Sequence, residues 1–200
     1  MRKIFIFTMM TLAFAGSVFI SCSSDNNDSP KTATVQSDTI KNIYAEKSYV
    51  KFNFAQKDTV PSSSNDWDIA FNSTTIIVNG GSATAPFART GNGGLYKTTG
   101  LLSDIASVDV TKFAFDTDGA LALTTGSGNG WYTYDMTAHT ILPTAGVVLV
   151  IRTHDGKYAK MVIDSYYKDA PTTVTDVYSY GYYTFHYVYQ PNEGVTIFEN

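Results

Sequence analysis

Disulfide bonding within the chain is excluded, because its 200 residues hold a single cysteine, Cys22. The fold must therefore stand on its core alone, and a lone thiol calls for its own explanation. Basic charge is also scarce. Fourteen Lys and Arg face 18 Asp and Glu, which argues against nucleic acid and against electrostatic adhesion to anionic lipid. Helix-period segments are missing after the first twenty residues. There is no His-Glu-x-x-His, no Gly-x-Ser-x-Gly and no phosphate loop, so the usual hydrolase and nucleotide-binding signatures do not apply. Gly126-Ser127-Gly128-Asn129-Gly130 opens no helix and is expected to be a flexible loop rather than an anion cradle. Asp66 and Asp68 flank Trp67 and are not read as a catalytic pair. The expectation is a non-enzyme.

What is present begins with a leader. Arg2 and Lys3 precede an uncharged run from Ile4 to Ile20, which stops at Ser21-Cys22 and the polar stretch Ser23-Ser24-Asp25-Asn26-Asn27-Asp28. A permanent span needs about 20 apolar residues, so the run is slightly short for one. The junction resembles a bacterial lipobox, with Phe19 where an aliphatic residue is more usual. Cleavage before Cys22 and lipidation of its thiol would account for the lone cysteine, and multiple acyl chains anchor a protein durably. The expected organisation is a signal peptide at 1–21, a lipid-anchored flexible tether at 22–37 and one domain at 38–200. Without the leader, 12 of the 14 basic side chains remain against 18 acidic ones, a net charge of −6.

The domain is expected to be all-β and antiparallel. Val50, Phe52 and Phe54 alternate as on a half-buried strand. Short strands are expected around Trp67 to Phe71 and Thr74 to Val78, ended by Asn79-Gly80-Gly81. Residues 80–100 are rich in Gly, Ser, Thr and Asn and read as a long loop. Asp104 to Val110 reads as a turn or short helix, and 112–116 alternates like a strand. Residues 124–130 form a second glycine-serine loop that leads into Trp131-Tyr132-Thr133-Tyr134. The clearest element is a hairpin through Asp155-Gly156, expected to carry a two-residue type I′ turn that pairs Val150 with Met161. A last long strand over 178–189 puts Tyr183, Phe185, Tyr187 and Tyr189 on one face.

Three segments carry a likeness to a known family: Asn65-Asp66-Trp67-Asp68-Ile69-Ala70-Phe71, Gly130-Trp131-Tyr132, and Ile151-Arg152-Thr153-His154-Asp155-Gly156-Lys157-Tyr158-Ala159-Lys160. Together with the lipobox-like leader they resemble the HmuY family of haem-binding bacterial lipoproteins. The resemblance implies an outer-membrane, surface-exposed lipoprotein that takes haem as its cofactor and hands it to an outer-membrane uptake receptor. It also implies iron gripped by His or Met from two loops. At the offset from Trp131 that the family uses stands Met136, with His139 three residues on. The stretch that should bring the other ligand, 116–129, has no His, Met or Cys. Three possibilities follow: one axial ligand, two from the 134–140 loop, or no haem. Met161 is expected in the core, His154 solvated at a turn, and His186 hydrogen-bonded within its strand. The alternative function is a surface binding or adhesion module that recognises carbohydrate or protein through glycine-rich loops and tyrosines.

Overall fold

The computed structural model of the protein describes residues 32–199. The leader and Cys22 lie outside the described residues. Eleven strands are present there: β1 (Gln36–Tyr44), β2 (Val50–Asn53), β3 (Asp58–Val60), β4 (Ile69–Asn72), β5 (Thr75–Val78), β6 (Gly94–Thr99), β7 (Tyr132–Asp135), β8 (Thr140–Pro143), β9 (Val147–Arg152), β10 (Tyr158–Tyr167) and β11 (Tyr180–Gln190). All pairings between them are antiparallel. They form a five-stranded sheet in the order β1-β11-β10-β9-β6, a four-stranded sheet β3-β2-β4-β5, and a separate hairpin β7-β8. The fold is all-β. β1 starts at Gln36, two residues ahead of the expected domain start.

Two sheets enclose the main core. Phe52, Phe54, Ile69 and Phe71 of the smaller sheet meet Tyr183, Phe185, Tyr187 and Tyr189 of the larger, all buried. Phe52 meets Phe185 edge-on at 5.3 Å between ring centres, and Phe71 lies 4.4 Å from Tyr183. Such ring pairs add about 0.5–1.5 kcal/mol beyond the area they bury. β9 reads as an unbroken apolar run because both its faces are covered. Leu149 and Ile151 face the main core, while Val148 and Val150 pack with Tyr96 and Phe198 on the far side.

Three local readings need correction. The glycine-rich 80–100 stretch is not loop throughout: its last third is β6, paired with β9 from Gly94↔Arg152 to Thr99↔Val147. Its glycines signal close backbone approach rather than looseness. A Cβ on Gly80 would stand 1.8 Å from the carbonyl oxygen of Gly93. Residues 112–116 form no strand. A 3-10 turn at Val110–Lys112 takes in the first of them, and only isolated bridges tie Ala114 to Leu95 and Asp116 to Gly81. The β9–β10 turn is not type I′. The register pairs Lys160 with Val150 and Met161 with Leu149, one residue away from the expected one. Gly156 N–H donates to the Thr153 carbonyl, Thr153 N–H to the Lys157 carbonyl, and Gly156 alone of the loop residues has positive φ, at 87°. This is the three-residue loop with a left-handed glycine at its end. Met161 is buried in the core as expected.

His154 is not a solvated turn residue. The buried Asp68 carboxylate accepts from both His154 N–H (3.0 Å) and Nδ1 (2.7 Å), and its other oxygen accepts from Phe54 N–H. The turn of the large sheet is thereby latched to the small one. Asp155 stands within 4.8 Å of this pair, but its oxygens are taken by Thr153 and Lys157. The cluster is a structural latch. The hydrogen bond to Asp68 holds the His154 pKa above its ordinary 6.5, against the opposing effect of burial. A raised folded-state pKa gives stability that is whole below about pH 6.5 and lost as pH rises through the folded value. Wild-type protein should therefore resist urea better at pH 6 than at pH 8. In His154→Gln that difference should shrink; an unchanged difference would remove His154 as its source.

Candidate functional site

The β7–β8 hairpin is the element that stands apart from both sheets, and its base is fixed by Trp131. That indole is buried against Tyr132, Tyr166 and Tyr183, and its Nε1 donates to the Thr74 carbonyl at 2.9 Å. The second strand is held by Ile141 N–H, which donates to the Tyr167 hydroxyl at 2.9 Å. The loop between the strands is shaped by Asp135. One carboxylate oxygen accepts from Thr137 N–H (2.7 Å) and Ala138 N–H (3.0 Å). These two bonds to the ionised form hold the Asp135 pKa below the usual carboxylate value. His139 then closes the loop with φ of 54°, a left-handed conformation in which His is enriched among non-glycine residues.

Two clefts open beside this hairpin. One, of about 460 Å³, lies between β8, the end of β10 and residues 171–174. The other, of about 350 Å³, is walled by Tyr134, His139, Ile141, Tyr167, Val177, Tyr178 and Tyr180. Both fall within the range of small-molecule sites, about 300–1,000 Å³. The second is the more chemically defined, with six aromatic or aliphatic side chains and one imidazole. His139 Nδ1 lies 2.9 Å from the Tyr134 hydroxyl, and no hydrogen bond engages Nε2 among the described residues. When Nδ1 carries the proton it donates to the Tyr134 oxygen, and the Nε2 lone pair is left for a Lewis acid. A metal-binding imidazole is typically held this way, oriented through its other nitrogen.

Of the two residues picked from the Trp131 offset, the structure sets His139 on the wall of this cleft. Met136 sits in the same loop, 80% exposed, and lines neither cleft. His186 is hydrogen-bonded as expected: its Nδ1 donates to the Asp164 carboxylate of β10 at 2.8 Å. Tyr178 and Tyr180 were not foreseen as site residues. The long break at 168–179 between two tyrosine-rich strands was the available signal, since long loops within compact domains are commonly functional.

The two-sheet antiparallel domain thus carries an aromatic cleft beside a hairpin that belongs to neither sheet. The sequence profile of the HmuY protein family matches residues 45–187, and the chain belongs to that family. No curated protein matches it in sequence. Among solved structures, the apo form of an HmuY analogue from Tannerella forsythia is 15% identical. The likeness covers 81% of this chain and 100% of that one with a TM-score of 0.51, and it concerns the fold. A protein from Bacteroides vulgatus, described as a candidate HmuY-like haem-binding protein, is 14% identical over 79% of this chain and 93% of its own, with a TM-score of 0.48. A candidate lipoprotein from Bacteroides fragilis is 17% identical over 78% and 90%, with a TM-score of 0.47.

Proposed function

We propose that the protein is a cell-surface lipoprotein that binds haem in the cleft beside the β7–β8 hairpin and passes it to an outer-membrane receptor. The observation that carries the proposal is His139, an imidazole oriented through Nδ1 by Tyr134 with Nε2 unengaged, on the wall of an aromatic cleft. The donor set fits an iron porphyrin: a nitrogen ligand for the metal, with aromatic and aliphatic walls for the ring. Haem would supply the iron and its axial coordination sites. The chain supplies the rest. Tyr134 holds the imidazole, Asp135 fixes the turn that presents it, and Tyr167 and Ile141 line the cleft beside it. Membership in the HmuY family supports the same ligand. Met136 is the second candidate, on a loop position free enough to reach outward.

Ferric and ferrous haem titrated into the full chain, His139→Ala and Met136→Ala test this assignment. His139→Ala should weaken binding at least tenfold, about 1.4 kcal/mol, in both oxidation states, because an imidazole holds either. A loss confined to Met136→Ala and to ferrous haem would transfer the role to the thioether. Unchanged binding and spectra in both variants would rule out this loop. For anchoring, Cys22→Ala should move the protein from the membrane fraction to the soluble one; a variant still found with membrane would refute lipidation at Cys22.

A further inference from the structure

We infer that Tyr178 supplies the second axial ligand, so that the site is a His–Tyr pair; this rests on the haem reading of the same cleft. The 116–129 segment holds no His, Met or Cys, and apart from His139 the cleft wall offers only tyrosine as a side-chain donor. Four tyrosines are present, and their hydroxyls are not equivalent. Tyr134 is engaged with His139 Nδ1, and Tyr167 accepts from Ile141 N–H. Tyr180 lies in β11 with its ring stacked on Tyr166 at 6.4 Å. Tyr178 is 86% exposed, and its only hydrogen bond among the described residues is made by its backbone N–H to Asp176. Its hydroxyl is therefore the free oxygen donor whose ring no packing holds in place.

The loop that carries Tyr178 is fixed at its root. Asn42 on β1 donates from Nδ2 to the Asp169 carboxylate (2.8 Å) and accepts from Asp169 N–H (2.7 Å). Asp169 and Ala170 both adopt positive φ, 60° and 48°, turning the chain sharply there. From this clasp the chain runs past Val177 to Tyr178 on the cleft wall, while His139 comes from a separate hairpin. The cleft thus takes one donor from each of two independent elements, and a doubly ligated iron needs two donors. With ferric haem bound, the Tyr178 phenol would give its proton to solvent and its oxygen would hold the iron, with no change in oxidation state. Tyrosinate is an established protein ligand to haem iron. As a hard anion it favours ferric over ferrous iron, so the site would hold oxidised haem and release it on reduction.

The test is ferric and ferrous haem titration of the full chain, Tyr178→Phe and Tyr180→Phe, with resonance Raman spectra of each ferric complex. The expected result has four parts. The parent shows tyrosinate-to-iron vibrations, Tyr178→Phe loses them, its ferric affinity falls at least tenfold, and its ferrous affinity stays within twofold. Tyr180→Phe should keep the signature. A parent that binds haem without tyrosinate bands, a Tyr178→Phe complex identical to the parent's, or a signature lost in Tyr180→Phe instead would overturn the Tyr178 assignment and leave the haem reading standing. No saturable haem binding in the parent would overturn both.

Discussion

Replacing Asp116 with alanine should cost about 3–5 kcal/mol, the usual penalty for stranding a buried charge. The side chains of Asp116 and Arg89 are both fully buried and meet at 3.0 Å. One carboxylate oxygen accepts from Arg89 Nε and Nη2 and from Val78 N–H, and the other accepts from Ala122 N–H. The carboxylate thus pins the end of β5, the 80–93 loop and the approach to residue 122 to one point. Removing it leaves a guanidinium without its counter-charge and two backbone donors without acceptors. For a domain of this size each kcal/mol lowers Tm by about 2–4 °C, so thermal unfolding should move down by roughly 6–20 °C. The double variant Arg89→Met, Asp116→Leu should lose much less, because no charge is stranded. Equal losses in the two proteins would mean that the backbone bonds, not the ion pair, hold the segment.

Trp131→Ala should cost a similar amount, about 3–5 kcal/mol for deleting a buried indole, and should also disturb the site. The ring fills space against Tyr132, Tyr166 and Tyr183 and anchors the hairpin whose loop presents His139. Haem affinity should fall together with stability. Trp131→Phe should recover most of the packing but not the bond from Nε1 to Thr74. Unchanged haem binding in a destabilised Trp131→Ala protein would separate the hairpin from the site.

Why some of this was legible in the sequence and some was not follows from the range of the forces involved. Tyr183, Phe185, Tyr187 and Tyr189 alternate, and period two alone places them on the buried face they occupy. Asp155-Gly156 marks a reversal, but the register depends on whether one or both turn residues adopt positive φ. Only Gly156 does, which shifts every β9–β10 pair by one. β6 was hidden because Gly91, Gly93 and Gly94 imitate a loop. Their small size is needed where the chain crosses Asn79, His154 and Ala114, contacts remote in sequence. β8 is short and ends on Pro143, and its pairing with β7 becomes visible only once Asp135 is seen closing the turn. For the site, the Trp131 offset picked out the 134–140 loop, of which His139 stands on the wall of the aromatic cleft. It could not tell Met136 from His139, because the choice rests on which side chain faces the 168–179 segment. The His154–Asp68 latch spans 86 residues, beyond any local pattern.

The central claim is that this cleft binds haem, and an absorbance titration of haem into the full chain tests it most directly. The account predicts a Soret band that shifts from that of free haem and saturates at one haem per chain, with His139→Ala losing most of the shift. A spectrum that stays that of free haem, or a change that grows without saturation and equally in His139→Ala, would contradict it and turn the protein into a surface adhesion module with an aromatic groove.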